Sequence, residues 1–393
     1  MPTLSFLVFC LLASLGFLAG CAAPLSPTVK TPMELEPAVK ALAADIFGQV
    51  RASQNFVGRM GKKAFVVDPF IDAYTAEVNE TSRQIEQVLM REVRSAFPEF
   101  PIEHMSVKNL GTSQYVVNGT IRLDKASGSG FYRVSSSVVD LKTGMIIANS
   151  EVWLTKEKLN FEPIASYKES PMYLKDKRVE GYIATTLSNT GELADKSYFD
   201  TLPTAAVLSE ADVRFDAGDF ANALDLYQLA ESRADGKTMK TYSALYQSYR
   251  KLGQNQEAEK AFANLVDVGL VNNNLSTRFL FTVKTTDFVA DSSLRSQYAL
   301  WLRQIARRVA TAGVCLNIVG HSSRSGNERY NDQLSQQRAL AVQKLMQKDF
   351  PQVMQKTKAY GKGFRENIIG TGSDDAQDAI DRRVEFRVVE CGR

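Results

Sequence analysis

Two apolar rhythms alternate along this chain. From Glu34 onward, Leu35, Val39, Leu42, Ile46 and Val50 recur every three or four residues, as one face of a helix does. Glu80 to Phe97 repeats that rhythm, with Ile85, Val88, Leu89 and Val93 inward. Between the two, Lys63 to Ile71 (KAFVVDPFI) is an apolar run that reads as one buried strand. Three more strand-like segments follow: Tyr115 to Leu123, Phe131 to Leu141 and Met145 to Leu154. Asp140-Leu141-Lys142-Thr143-Gly144 joins the last two, and its Asp and Gly supply hairpin-turn chemistry. This order predicts an α/β domain over residues 34–160 that ends in an antiparallel meander. Residues 161–203 carry Pro163, Pro171, Pro203 and several aromatics without a clear period, and an irregular but ordered linker is expected. Helical periodicity returns over 204–272. Beyond it the pattern predicts a strand at Phe279 to Val283, a helix at Leu294 to Thr311 and a strand at Val314 to Val319. A helix at Asp332 to Lys348, a short strand from Lys358 to Tyr360 and a last strand at Arg382 to Val389 complete the set. The whole is an α+β multidomain chain.

The first residues follow a different logic. An apolar run from Leu4 to Leu18 leads into Leu18-Ala19-Gly20-Cys21, although no Lys or Arg precedes it. This resembles a bacterial lipoprotein signal, in which the cysteine after small residues receives lipid and becomes the mature N-terminus. The resemblance implies that residues 1–20 are removed, that Cys21 is lipidated, and that the Pro-rich stretch 21–33 is a tether. Ala22 in place of an aspartate implies the outer membrane in the lipoproteins that this one resembles. An ordinary secretory signal or a short membrane span is the alternative.

Composition narrows the function classes. Net charge is +3 over 393 residues, with no dense Lys/Arg block, so a nucleic-acid partner is excluded. No apolar run after Leu18 approaches the roughly 20 residues of a membrane helix. Of the four cysteines, Cys10 leaves with the signal and Cys21 takes lipid, which leaves Cys315 and Cys391 as a pair in an oxidising compartment. Strand alternation puts each on the face opposite the apolar residues of its strand, and antiparallel neighbours would bring them together as a disulfide. His104 and His321 stand in unrelated contexts, and no Cys/His spacing suits a metal; neither metal nor cofactor is expected. No Gly-rich phosphate loop and no H-E-x-x-H is present, and Asp374-Asp375 lies in a turn-forming loop. A non-enzyme is expected; a cell-wall hydrolase survives only with a site assembled from distant residues.

Three resemblances organise the rest. V-V-D-P-F near the first strand, Y-V-V-N-G-T-I from Tyr115 and V-V-D-L-K-T-G-M-I from Val138 make residues 34–160 resemble periplasmic lipoprotein domains of the LpoB, FlgO and CsgG type. That implies a protein-interaction role and leaves the envelope partner open. Residues 204–272 resemble two tetratricopeptide repeats: Gly218, Phe220, Ala223, Tyr227 and Ala230 match in the first, and Leu245, Tyr249, Gly253, Ala258 and Phe262 in the second. Gly218 and Gly253 lie 35 residues apart, near the family period of about 34. An unrelated pair of helical hairpins would give the same helices and no peptide-binding concavity.

Residues 276–393 resemble the OmpA C-terminal-like domain. The matching segments are I-V-G-H-S-S-R-S-G (Ile318 to Gly326), Y-N-D-Q-L-S-Q-Q-R-A (Tyr330 to Ala339), A-Y-G-K-G (Ala359 to Gly363) and D-R-R-V-E-F (Asp381 to Phe386). The resemblance implies a βαβαββ-type fold that grips the peptidoglycan stem peptide. There an aspartate takes the diaminopimelate ammonium and an arginine takes its carboxylate. The arginine falls on Arg338; the aspartate position, fifteen residues earlier, is Ser323. A guanidinium fork suits a carboxylate, whereas serine offers a hydrogen bond without charge. Asn331 is expected to shape the loop and to donate to ligand, and Arg382 and Arg383 to extend a basic rim. His321 is implied to be structural. Acidic residues usual in the family are missing near Thr282 and Lys284. Three readings stand: peptidoglycan binding with altered contacts, a changed ligand, or a structural domain. The chain as a whole reads as an outer-membrane lipoprotein that binds peptidoglycan and scaffolds envelope proteins. The alternative is an accessory or activator of a flagellar, secretion or penicillin-binding-protein complex with weak or no wall binding.

Overall fold

The computed structural model describes residues 31–53, 63–124, 130–277, 279–290, 292–311, 313–368, 372 and 377–391. Cys10, Cys21 and all of residues 1–30, on which the signal was expected, lie outside the described residues, and so does the Asp374-Asp375 pair.

The N-terminal part comprises α1 (Leu35–Ser53), β1 (Phe65–Val67), β2 (Ile71–Asp72), α2 (Glu80–Ala96), β3 (Ile102–His104), α3 (Val107–Thr112), β4 (Tyr115–Leu123), β5 (Tyr132–Asp140) and β6 (Ile146–Leu154). The sheet order is β3-β1-β4-β5-β6, with β2 also on β4. β4, β5 and β6 form the antiparallel meander, while β1 and β2 run parallel to β4. α1 and α2 place Val39, Leu42, Ile46, Ile85 and Leu89 in one core with Phe65, Val67 and Val117. A capping box starts α2: Ser82 N donates to Asn79 Oδ1, and Asn79 N donates to Ser82 Oγ, both at 2.9 Å.

The run Lys63 to Ile71, expected as one strand, is two. Val67 pairs with Val117 and Ile71 with Thr120, so four steps on one strand oppose three on the other. Pro69 has no N–H to give to a ladder, which favours a break at that point. The Phe70 ring lies over Gly119, where a side chain would run into it.

Residues 161–203, expected to be irregular, hold three helices: α4 (Ala165–Lys168), α5 (Lys177–Leu187) and α6 (Lys196–Phe199). Tyr182 and Tyr198 are buried and meet edge to face at 5.1 Å. The prolines do not prevent these helices. Pro163 and Pro171 fall outside them, and Pro203 sits in the first turn of the next, where its missing N–H costs nothing.

Four longer helices follow: α7 (Leu202–Asp216), α8 (Phe220–Ser232), α9 (Met239–Lys251) and α10 (Asn255–Val271). Gly218 and Gly253 turn two of the connections at φ 79° and 74°, a left-handed conformation that favours glycine. The chain's own residues 163–175 pack against α7 and α9. Ser166 N donates to Asp216 Oδ1 (2.8 Å), Gln247 Nε2 donates to Ser166 O (3.2 Å), and the Ser170 and Ser243 hydroxyls lie 2.8 Å apart.

The C-terminal part contains α11 (Ser292–Thr311), β7 (Cys315–Gly320), α12 (Glu328–Asp349), α13 (Val353–Lys356), β8 (Thr357–Gly361), a 3-10 turn at Gln377–Asp381 and β9 (Val384–Val389). The sheet order is β8-β7-β9, with β8 parallel and β9 antiparallel to β7. The strand expected at Phe279 to Val283 does not join this sheet. Phe281 bridges Phe288 instead, and Leu275 reaches the edge of β9 at Phe386. Phe279 and Phe281 do enter the core, so the apolar alternation was real. A tight turn that packs both rings meets the same pattern without a sheet partner.

α11 docks on the preceding helices. Trp301 stacks on Phe262 at 5.9 Å and donates from Nε1 to the Tyr246 hydroxyl at 2.9 Å. One apolar cluster therefore runs from Val66 through Tyr182, Phe215 and Phe262 to Phe386. No helix among the described residues is long and apolar enough to cross a membrane.

Candidate functional site

Glycines set the site by letting α12 lie directly on two strands. A methyl at Gly320 would strike the Ser335 carbonyl, and one at Gly361 the backbone of Gln336. Gly363 adopts φ 54° beside Asp332 and donates its N–H to Ser335 Oγ at 2.9 Å. These are the glycines of I-V-G-H and Y-G-K-G. Asn327 caps α12, its side chain accepting from Tyr330 N at 2.8 Å. Asn331 is 2% exposed. It donates from Nδ2 to Ser325 O at 2.8 Å and Asn327 O at 3.1 Å, and so shapes and closes the loop after β7.

Arg338 projects from α12 into the space between that loop and residues 281–285. It is 0% exposed. Nε donates to Thr285 O (3.0 Å), Nη2 to Thr282 O (3.2 Å) and Nη1 to His321 O (3.3 Å). Its guanidinium carbon also sits 5.0 Å from the Phe281 ring centroid. Thr282 and the residues around it thus meet the arginine through main-chain oxygens rather than acidic side chains. Ser323 is buried in the same loop, its hydroxyl 3.4 Å from that of Ser325. Lys284 is exposed, and its carbonyl accepts from the Tyr330 hydroxyl at 3.4 Å.

Arg383 does not extend an exposed basic rim. It is 5% exposed, and Arg382 is also buried. Arg383 donates from Nε to Glu385 Oε1 (2.6 Å) and from Nη2 to Glu366 O (3.1 Å), and its Nη1 lies 3.8 Å from Asp381 Oδ1. The physical reason is local. Arg383, Glu385 and Arg387 alternate along one face of the last segment and neutralise one another, with Arg387 reaching Glu385 at 3.1 Å. That alternation was readable in D-R-R-V-E-F and its continuation, and it is the signal that sequence reasoning passed over.

His321 is fully buried, with Nε2 3.5 Å from Glu385 Oε2. Burial pushes the imidazole pKa below its ordinary 6.5, against the pull of Glu385. Burial would push the Glu385 carboxyl up, yet the His321 contact and the Arg383 guanidinium override it and hold it well below the usual range. At neutral pH the pair is a neutral imidazole beside a carboxylate whose cation is Arg383.

Cys315 and Cys391 are joined by a disulfide with Cα atoms 5.0 Å apart, and Cys315 pairs in register with Val389. Among the described residues no group of three or more His, Cys, Asp or Glu side chains could hold a metal ion.

The structure therefore brings Arg338, the His321–Ser325 loop and Asn331 together, and places Arg383 in a separate acid–base cluster joined to them through His321. The model of the OmpA family matches residues 291–380. No curated protein matches the chain. Similar solved structures include a peptidoglycan-associated lipoprotein from Burkholderia pseudomallei, 22% identical, covering 28% of this chain and 88% of that one with a TM-score of 0.24. An outer membrane protein from Borrelia burgdorferi B31 is 22% identical, with coverage of 30% and 88% and a TM-score of 0.23. The cell wall anchor of the T6SS from Pseudomonas aeruginosa is 24% identical, with coverage of 29% and 76% and a TM-score of 0.23. Residues 291–380 form an OmpA C-terminal-like domain.

Proposed function

We propose that this chain is a lipid-anchored envelope protein that binds peptidoglycan non-covalently through its C-terminal domain. The first two parts take up envelope protein partners, and no catalytic role is assigned. In this reading Cys21 carries the lipid, residues 21–33 are the tether, and the domain faces the periplasm from the outer membrane. Residues 34–160 serve as the LpoB/FlgO/CsgG-like unit and 204–272 as tetratricopeptide-like repeats. The observation that carries the reading is the OmpA family match over 291–380, which contains both Ser323 and Arg338. The stem-peptide carboxylate would approach Arg338, and its ammonium the Ser323 loop, with Asn331 holding that loop in shape.

A second reading has its own observation. Arg338 is fully buried and already donates to the carbonyls of Thr282, Thr285 and His321. Ser323 brings no charge to an ammonium. Both features favour an accessory or activator lipoprotein with weak or no wall binding. Co-sedimentation of the full chain with purified sacculi separates the two. Sedimentation that excess free diaminopimelate suppresses supports wall binding; a chain that stays in the supernatant supports the accessory role.

A further inference from the structure

A cavity of about 50 Å³ lies where the N-terminal sheet meets the helices of residues 161–271. Two ion pairs line it. Asp212 is well held, with Lys240 Nζ at 2.7 Å and the Tyr227 hydroxyl donating at 2.6 Å, while Lys240 also sits 3.6 Å from the Tyr167 ring centroid. Asp68 is held poorly. It is 4% exposed, its nearest cation is Arg178 at 3.8 Å, and neither Asp68 Oδ2 nor Arg178 Nε has a hydrogen-bond partner. A space of this size takes a few water molecules and excludes an organic ligand. A buried carboxylate without a charge-assisted hydrogen bond is stabilised more by taking up a proton than by staying ionised.

We infer that Asp68 is a proton-operated latch between the β1–β2 corner of the sheet and α5. In mild acid Asp68 is a neutral carboxyl and the joint is tight. Near neutral pH it gives its proton to solvent, a carboxylate whose nearest cation stands 3.8 Å away without a hydrogen bond is left in the cavity, and the joint loosens. The position of Asp68 immediately after β1, and of Arg178 in the first turn of α5, makes this contact a direct bridge between the two parts.

Burial raises the Asp68 pKa to about 6, only partly offset by Arg178 and Tyr198, with Glu86 adding to the rise. The groups around it are Arg178 and Tyr182 on α5, Tyr198 on α6, Tyr167 on α4 and Glu86 on α2, with Glu77 acting on Tyr167. Glu86 in turn bonds His104 at 2.6 Å and raises its pKa. A protonated His104 also strengthens the folded state at low pH, so its effect must be separated from that of Asp68.

The test is hydrogen exchange on the full chain at pH 5 and pH 7.5, corrected for intrinsic rates, read in peptides spanning 65–72 and 177–187. Protection should fall about tenfold between the two, because the opened carboxyl is already ionised above 3.8 while the closed one ionises only near 6, so each step of one in pH below 6 costs about tenfold and none is added above it. Asp68→Asn should keep the acid level of protection at both values, and His104→Gln should keep the wild-type response. Equal protection at both pH values in the wild type overturns the inference, as does an Asp68→Asn chain that responds like wild type. Should Asp68→Asn fail to fold, the carboxyl carbon of Asp68 in the wild type still decides by NMR. It must titrate near 6, and titration in the ordinary range below 4.5 sinks the latch.

Discussion

Arg338 donates from Nη1 to the main-chain carbonyl of His321, 3.3 Å away, and so ties α12 to the loop that follows β7. The same guanidinium holds Thr282 and Thr285 from the other side. Arg338→Ala leaves buried carbonyls unpaired and opens a cavity. It should cost about 3 kcal/mol or more. Arg338→Lys keeps the charge but cannot span the set, because an ammonium on a flexible stem lacks the planar fork. Chemical denaturation should rank wild type above Arg338→Lys above Arg338→Ala. An Arg338→Ala chain as stable as wild type would remove the structural role and leave only a ligand role. Sacculus binding must be compared at temperatures where each variant is folded.

Gly320 and Gly48 make opposite predictions. Gly320→Ala puts a methyl into the Ser335 carbonyl, so α12 must lift from β7. A loss of about 1–3 kcal/mol follows from overpacking alone. Gly48 lies inside α1 with nothing within 4 Å of an added Cβ. Gly48→Ala should instead raise stability by about 0.5–1 kcal/mol, the helix penalty of glycine. Thermal melts of the two variants should move in opposite directions. A shared direction would mean that α12 does not rest on β7 as described.

The sequence made some elements legible and hid others for identifiable reasons. Tyr115–Leu123 was bounded to the residue, because its aromatic and β-branched positions are flanked by polar Gln114 and Asp124. α5 was missed because Pro163 and Pro171 upstream suggested a loop, although Asp176 before Val179 was a readable cap. The strand at 279–283 was misassigned because periodicity reports which side chains are buried, not where the main chain finds its hydrogen bonds. Arg338 was legible as a special residue from its register. That three carbonyls surround it was not legible, since main-chain partners leave no trace in side-chain identity.

Asp176 shows how one residue can join two helices. Oδ1 accepts from Val179 N in the first turn of α5, and Oδ2 accepts from Met239 N at the start of α9, both at 3.1 Å. Each cap satisfies a donor that has no partner within its helix. Asp176→Ala should cost about 1–3 kcal/mol, the sum of two ordinary caps. Asp176→Asn retains one acceptor oxygen and should recover about half of it. Equal losses for the two variants in urea unfolding would point to charge rather than capping.

The Cys315–Cys391 bond closes a loop with a sequence separation of 76 residues. Reduction should cost about 2–5 kcal/mol and act on the C-terminal sheet. A thiol assay on unfolded, unreduced protein should find no free thiol from this pair. Two free thiols would mean that the bond does not form in the isolated chain.

Acid should act in opposite senses on the two ends of the molecule. Glu385 is held below the ordinary carboxylate range of 4.5 by His321 and Arg383, which override the upward push of burial. Its contribution is present above about pH 4.5 and is lost as pH falls toward its folded value. His321 is kept neutral by burial, with its pKa below 6.5, so its contribution is also lost as pH falls beneath 6.5. Asp68 has the reverse sign. Its folded pKa of about 6 stands above the ordinary 3.8, so its contribution is present in acid and is lost as pH rises through 6. Hydrogen exchange followed from pH 7.5 to pH 4 should therefore show protection falling in β7 and β9 while it rises in β1, β2 and α5. Over this range His321 sets the first trend, with Glu385 joining only below about pH 4.5, so Glu385→Gln should remove that last part of the fall and leave the second trend untouched. If both regions instead lose protection together on acidification, one cooperative transition governs the chain, and the continuous core from Val66 to Phe386 outweighs the local titrations.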